Sequence, residues 1–400
     1  MDNVDAAGLG IGDDHPPRVM GVLNVSKESP YDPSVFDDAG EAAAYVDEAL
    51  IDEGADIVDV GLESANKRFD VLSAEGELER LDTAVETLES TSGDAVWSIE
   101  TRYAEVAEAA LDAGFDMVND IAGFADPDLP AVCEDYDVAV AKMASPPDLT
   151  RPGAVEETPW AERKGQAWAD EADYVDMVYE ALKQNGLTDK TIVDPAFGGW
   201  SEAQTIEQDR EAFRRLREFR GLGKPMLVSI NRKNFLRSLT GRSTEDALAS
   251  SLAATSMAVE RGAHVVRTHD VRETVDSVAV GHEFARRRVR DGDGVAADPC
   301  VEELDVTTTG EARRHAERLD VDAGIAGESV ARVFEVAGVD DSTADRLAAG
   351  AEDAGVAYAP TGDGCVLAGT DATFDRLCAD STDAEGAYAA VLSRLQQSGY

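Results

Sequence analysis

The stretch Gly54-Ala55-Asp56-Ile57-Val58-Asp59-Val60-Gly61 decides how this chain is read. A glycine able to close a helix precedes an Ile/Val-rich run, the pattern of a strand buried on both faces of a parallel sheet. The junction recurs along the chain. Gly114, Gly186 and Gly262 close amphipathic stretches at Tyr103–Ala113, Tyr174–Gln184 and Ala247–Arg261, as Gly54 does for Ala39–Glu53. Counted outward from these junctions, strands are predicted at Val19–Val25, Asp56–Gly61, Ala95–Thr101, Met117–Ala122, Val138–Ala144, Thr191–Ala196, Pro225–Ile230 and Val265–Asp270. Strand–helix alternation on this scale, over residues 18–291, fits an α/β fold of the (β/α)8 TIM-barrel kind. A doubly wound open sheet fits less well, because no Gly-rich dinucleotide fingerprint follows the first strand.

The flanks read differently. Residues 1–17 form an acidic N-terminal tail by composition. The run Asp291-Gly-Asp-Gly-Val-Ala-Ala-Asp-Pro299 reads as a linker. Residues 296–400 are then a small α+β domain of unknown role. Its elements are predicted as a strand at Val301–Thr308, helices at Glu311–Leu319 and Ser342–Ala354, a hairpin at Val356–Leu367 around Gly362-Asp363-Gly364, and helices at Thr373–Ala379 and Ala384–Gln396. Within the barrel, the connection from Ser145 to about Asp173 is long and carries Trp160 and Trp168. It reads equally as a lid or as an excursion packed on the surface.

Charge narrows the function. The chain of 400 residues has 81 Asp and Glu against 36 Lys and Arg, a formal net charge of −45. The acidity is spread along the whole length, and no lysine follows Lys233. Such a surface suits a salt-rich cytoplasm that screens self-repulsion, and it excludes nucleic acid as a partner. Cys133, Cys300, Cys365 and Cys378 show no C-x-x-C spacing, so neither a zinc site nor a disulfide framework is indicated. No secretory h-region and no apolar run near the ~18 residues of a membrane span are present, so a cytoplasmic protein without membrane contact is expected.

In a barrel of this type, side chains at the C-terminal ends of strands build the site. Here those ends are Asn24; Glu63; Glu100; Asn119 and Asp120; Lys142; Asp194; Asn231, Arg232 and Lys233; then Arg267, His269 and Asp270. So many polar residues at one rim point to catalysis without naming a reaction.

Several of these positions lie in motifs that resemble the dihydropteroate synthase family. Met20-Gly-Val-Leu-Asn24-Val-Ser26 is similar to its M-G-I-L-N-V-T. Gly54–Gly61 followed by Glu63-Ser64 is similar to G-A-D-I-I-D-I-G-G-E-S. Asn119-Asp-Ile-Ala-Gly123 matches N-D-I-S-G, Asp194-Pro195 matches D-P-G, Arg232-Lys233 the centre of S-R-K-S, and Arg267-Thr-His-Asp-Val271 R-V-H-D-V. The matches fall in the family's order over roughly residues 18–285.

The resemblance implies condensation of a pterin CH2-diphosphate with p-aminobenzoate, releasing diphosphate. It assigns the pterin edge to Glu100, Asn119, Asp194 and Lys233. It assigns the diphosphate to Asn24, Arg267 and His269, with Mg2+ held partly through Asn24, and it gives Lys233, Arg267 and His269 catalytic roles. Glu28, Ser64, Arg68 and Arg232 become loop candidates for the second substrate, a homodimer is a possible assembly, and Lys142 stands where the family commonly has a histidine.

Two loops depart from the family. S-I-D-T reads Ser98-Ile-Glu100-Thr101, and the first loop reads Asn24-Val-Ser-Lys-Glu28-Ser-Pro-Tyr-Asp32. The second reads Gly61-Leu-Glu-Ser64-Ala-Asn-Lys-Arg68. Three functions stay open on this basis: a synthase with altered loops, a related pterin-dependent transferase with another acceptor or a methyl-transfer reaction, and a non-catalytic pterin-binding paralogue.

Overall fold

The computed structural model describes residues 1–25, 34–63, 71–150, 152–198, 203–291, 300–379 and 385–397. The chain forms two compact units, Met1–Arg286 and Arg287–Tyr400.

The first unit starts with a hairpin of β1 (Val4–Ala6) and β2 (Leu9–Ile11). Eight parallel strands follow: β3 (Arg18–Asn24), β4 (Ile57–Gly61), β5 (Val96–Thr101), β6 (Met117–Asp120), β7 (Ala139–Met143), β8 (Thr191–Asp194), β9 (Leu227–Val228) and β10 (Val265–Thr268). Their order is β8-β7-β6-β5-β4-β3-β10-β9. The ring closes where Val193 bridges Met226 and its N–H donates to the Pro225 carbonyl at 2.9 Å. Seven of the eight predicted strands contain the observed one, and the first, predicted at Val19–Val25, begins one residue earlier at Arg18. The predicted ends overran because residues such as Ala122, Ala196 and Asp270 already lie in the turns that leave the barrel.

Side chains along a strand alternate between faces, so every second residue points to the barrel axis. At the bottom, Met20, Ile57, Val96, Met117, Ala139, Ile192, Leu227 and Val265 form one apolar cluster together with Val4, Ala6 and Ile11 of the hairpin. Residues 1–17 are therefore not a tail. The segment carries four aspartates and no lysine or arginine, but its three inward positions are apolar and plug the barrel floor. Asp13 seals the plug from beside it, with Oδ1 2.9 Å from His264 Nε2 and Oδ2 3.7 Å from an Arg220 nitrogen.

The long Ser145–Asp173 connection is a packed excursion. It contains a 3-10 turn at Val155–Glu157 and short helices at Trp160–Lys164 and Gln166–Glu171. Trp160 is buried in the barrel's outer core, donates Nε1 to the Val155 carbonyl at 2.9 Å, and lies 5.2 Å from the Trp168 ring.

The second unit has a short ladder, β11 (Arg290–Asp291) with β12 (Val301–Glu302), and an antiparallel sheet of β13 (Ala331–Ala337), β14 (Ala357–Pro360) and β15 (Gly364–Thr370) with β15 central. Helices Asp341–Ala354, Asp371–Ala379 and Gly386–Gln397 supply Leu347, Ala351, Phe374, Leu377 and Leu392 to its core. The predicted hairpin is present, with Pro360 opposite Cys365. The strand predicted at Val301–Thr308 shrinks to two residues, and β13 is a strand the sequence reading did not assign. It occupies a sheet edge, and its Val333 is 70% exposed.

Ile11→Ala should lower unfolding stability by about 2–4 kcal/mol, the cost of emptying a buried aliphatic position. Denaturant titration measures it; a change under about 0.5 kcal/mol, typical of surface substitutions, would show that the hairpin is not part of the core.

Candidate active site

The middle of the barrel holds one carboxylate among apolar neighbours. Asp59 lies on β4 between Val58 and Val60 and is fully buried. An ionised group there is costly unless paired and hydrogen-bonded. Three strands meet that need: Ser98 Oγ donates at 2.7 Å, Asn119 Nδ2 at 3.0 Å and Arg267 Nε at 2.7 Å. Arg267 also donates Nη2 to Glu100 at 2.6 Å. Strands β4, β5, β6 and β10 thus converge on a carboxylate–guanidinium node. Reading only the strand ends missed Asp59, which sits one pleat deeper. Counting by two from Gly61 finds it.

The node sets the electrostatics around it. Burial would lower the Arg267 pKa, but Glu100 and Asp59 outweigh it and hold the guanidinium charged. Burial raises Glu100 to about 7 despite Arg267, with Asp59 and Glu63 adding to the rise. Asp194, at the end of β8, accepts the Ala196 N–H at 2.8 Å. Burial raises it to about 6, opposed by that hydrogen bond, Lys233 and Arg267. Lys233 opens the helix Asn234–Thr240. Burial and Arg267 lower its pKa, while Asp194, Asp209 and Glu100 oppose the fall.

His269 stands two residues above Arg267 on the same face. Burial first, then Arg267, lower it to about 3, so it is a neutral imidazole at ordinary pH. Its Nδ1 lies 3.2 Å from Ser34 Oγ, which accepts from Asn24 Nδ2 at 3.0 Å. Ser34 thereby links the end of the first loop to the expected anion site, a link the sequence reading did not anticipate.

Other expected residues face elsewhere. Asp120 turns outward and takes the Ala122 and Phe124 N–H groups at 2.9 and 2.6 Å, so it shapes the turn after β6. Lys142 alternates outward from Ala141 and donates Nζ to the carbonyls of Leu182, Gln184 and Gly186 at 3.0, 2.5 and 2.7 Å. Burial lowers it to about 7, against Asp120. Three carbonyls can all be satisfied only by NH3+, so Lys142 stays charged and ties down the end of the helix Tyr174–Lys183. Arg232, held at φ 54°, grips both Asp270 oxygens at 2.8 Å and the Thr244 and Glu245 carbonyls at 2.8 and 2.7 Å. It braces the loop after β9. Glu63 pairs with the buried Arg102 at 2.7 Å, and Arg102 also donates to the Leu72 carbonyl at 2.8 Å, fixing the far end of the second loop. Glu28, Ser64 and Arg68 lie outside the described residues.

Asn24, Asp59, Glu100, Asn119, Asp194, Lys233, Arg267 and His269 thus belong to one mouth, with carboxylates and cations interleaved. Among the described residues no group of three or more His, Cys, Asp or Glu side chains forms a metal cage, and no helix is long and apolar enough to cross a membrane.

Lys142→Met should cost about 2–3 kcal/mol of stability through lost charge-assisted hydrogen bonds, read by denaturant titration. A change under about 0.5 kcal/mol, typical of surface substitutions, would show that Lys142 does not tie down the helix end. A pH dependence also follows. Burial raises Glu77 from 4.5 to about 7, opposed by the Thr101 hydroxyl and Arg102. The folded state therefore binds its proton more tightly than the unfolded chain. That contribution is complete below pH 4.5 and is lost as pH rises through about 7. Glu77→Gln should flatten this part of the stability–pH curve; an unchanged slope would contradict the assignment.

Comparison with known proteins agrees with this geometry. Residues 20–269 match the family described as pterin binding enzyme. A probable bifunctional folylpolyglutamate synthase/dihydropteroate synthase of Halobacterium salinarum is 34% identical over 263 residues, which is 66% of this chain and 31% of that protein. The chain spans about a third of that relative's length. The dihydropteroate synthase of Streptococcus pyogenes is 30% identical over 66% of this chain and 93% of its own. The Xanthomonas albilineans dihydropteroate synthase, solved with 4-aminobenzoic acid, is 30% identical over 70% of this chain and 96% of its own, with a TM-score of 0.54. A barrel closed around the Asp59–Arg267 node, and a family match running nearly from its first strand to its last, place this chain in the pterin binding enzyme family.

Proposed function

We propose that the chain is a dihydropteroate synthase, joining 6-hydroxymethyl-7,8-dihydropterin diphosphate to p-aminobenzoate. The observation that carries this reading is the mixed mouth itself. Carboxylates and a carboxamide suited to the donor edge of a pterin (Glu100, Asn119, Asp194) share it with the cations and neutral imidazole that suit a diphosphate (Lys233, Arg267, His269). A methyl-transfer reaction releases no diphosphate and has no use for the second group. Relatives named as synthases, one of them solved with 4-aminobenzoic acid, support the same choice.

In the reaction the pterin methylene loses its C–O bond to diphosphate and gains a C–N bond to the aniline nitrogen, which then sheds a proton. Asp194 and Asn119 hold the ring. Lys233 meets its carbonyl and ring-nitrogen acceptors. Arg267 Nη1, the guanidinium nitrogen turned away from Asp59 and Glu100, faces the charge developing on the leaving group. His269 adds a hydrogen bond without a charge, because burial, reinforced by Arg267, keeps it neutral. The aniline is already neutral near pH 7, so no strong base is needed.

Mg2+ fits as a partner of the diphosphate. The Asn24 carboxamide is oriented by its donation to Ser34, leaving its oxygen as a ligand. Mg2+ usually takes one or two protein oxygens beside phosphate and water. When bound it would supply Lewis-acid neutralisation of the leaving group. The acidic surface and the Halobacterium relative support activity in a salt-rich cytoplasm.

Purified protein in molar KCl with Mg2+ should form dihydropteroate from the two substrates, with one diphosphate released per product as the readout. Lys233→Ala should weaken pterin diphosphate binding about 10–150-fold, the equivalent of a lost charge-assisted hydrogen bond. Tight pterin binding without turnover would instead identify a binding paralogue.

A further inference from the structure

The turn after β8 is held from behind by a cluster the reaction scheme above does not use. Ala196-Phe197-Gly198 runs past Lys233, and Gly198 has φ 93°, a conformation that favours glycine. A Cβ built on Gly198 would sit 2.6 Å from Lys233 Cδ, so the turn is the wall on which the lysine stem lies. What holds the wall is Asp209, on the helix Ile206–Arg214 and 2% exposed. Its Oδ1 accepts the Gly198 N–H at 3.2 Å and Gln204 Nε2 at 2.6 Å. Gln204 in turn reaches the Ala196 carbonyl at 3.3 Å and the Tyr174 hydroxyl at 3.1 Å.

We infer that Asp209 is a positioning residue for Lys233: it hangs the Ala196–Gly198 turn at the height that directs the lysine stem, and it places a second carboxylate, after Asp194, within electrostatic reach of the ammonium. The inference rests on the proposed pterin role of Lys233 for its consequence, but not for its geometry. Without that carboxylate, Arg267 and burial would act on Lys233 with only Asp194 and Glu100 opposing them. The groups facing Asp209 itself are Glu156 from the 3-10 turn, Tyr174 from the helix Tyr174–Lys183, Gln204 and Lys233.

The two contributions separate chemically. Asp209→Asn keeps an oxygen acceptor for Gly198 and removes the charge; Asp209→Ala removes both. The chain has only eight lysines. NMR of lysine side chains labelled at the ε position, with the Lys233 signal assigned by its loss in Lys233→Ala, therefore follows this ammonium without any ligand. Asp209→Asn should lower the Lys233 titration midpoint by at least half a pH unit. An unchanged midpoint overturns the charge role. For positioning, calorimetry with 6-hydroxymethyl-7,8-dihydropterin diphosphate should show at least a tenfold weakening in Asp209→Ala. In the Lys233→Ala background the same substitution should change affinity less than threefold. An equal loss in both backgrounds overturns positioning and makes Asp209 merely structural. If wild-type protein does not bind the pterin diphosphate, the functional reading fails, while the NMR arm still decides the link between Asp209 and Lys233.

Discussion

The pairing of Asp59 with Arg267 is the constraint on which the rest of the barrel's interior depends. A carboxylate in the middle of a parallel strand is tolerable only with a cation in hydrogen-bond contact and its remaining lone pairs occupied. Ser98, Asn119 and Arg267 do this from three other strands. The pair lies above an apolar floor that the N-terminal hairpin closes, and a dry floor strengthens the attraction. Because Arg267 cannot leave Asp59 without stranding it, its charge is a fixed feature. It helps keep Asp194 and Glu100 from rising further, and it adds to the burial that lowers Lys233 and holds His269 neutral. One guanidinium therefore biases four neighbouring groups, favouring ionised carboxylates at Asp194 and Glu100 and opposing a further positive charge on Lys233 and His269.

That fixed charge is set in a strongly acidic molecule. An anion approaching a chain of net charge −45 meets long-range repulsion at low salt and a local attraction at Arg267 and Lys233. Screening shortens the repulsion from ~8 Å in 0.15 M salt to ~3 Å at 1 M. The cations inside the mouth are shielded from bulk ions by burial and lose less. Salt thus favours entry of the anion while leaving its binding groups effective, so surface acidity and an anion site are compatible in concentrated salt.

Much of this was legible in the sequence, and the gaps share a cause. The eight strands were readable because buried parallel strands are apolar runs closed off by glycine-ended helices. Glu100, Asn119, Asp194, Arg267 and His269 were readable because polar residues at strand ends are unusual and fall in family order. Composition misled at residues 1–17, where a net acidic segment hides three apolar positions with inward parity. It also misled at β13, whose alternating exposure is that of an edge strand. Asp59 was hidden by attention to strand termini, and the linkage of Ser34 to His269 by the length of the intervening chain. The brace made by Arg102 with Glu63 joins residues from two different strand ends, a tertiary event no local pattern announces.

Lys142 and Lys233 make the distinction concrete. Both follow apolar runs and both are cations in a lysine-poor chain, so type and scarcity do not separate them, though Lys142 is fully buried and Lys233 half-buried. Parity does for the first. Ala139 and Ala141 face the barrel axis, so Lys142 must face the helices, where three orphan carbonyls at a helix end await donors. Lys233 lies beyond the two-residue strand β9, where parity no longer applies and the backbone must be steered by something else. That steering comes from Gly198 and Asp209, on the neighbouring turn and helix. Where a side chain belongs to a strand, its role follows from counting by two. Where it belongs to a loop, its role follows from whatever holds the loop, and that is the information a single sequence carries least openly.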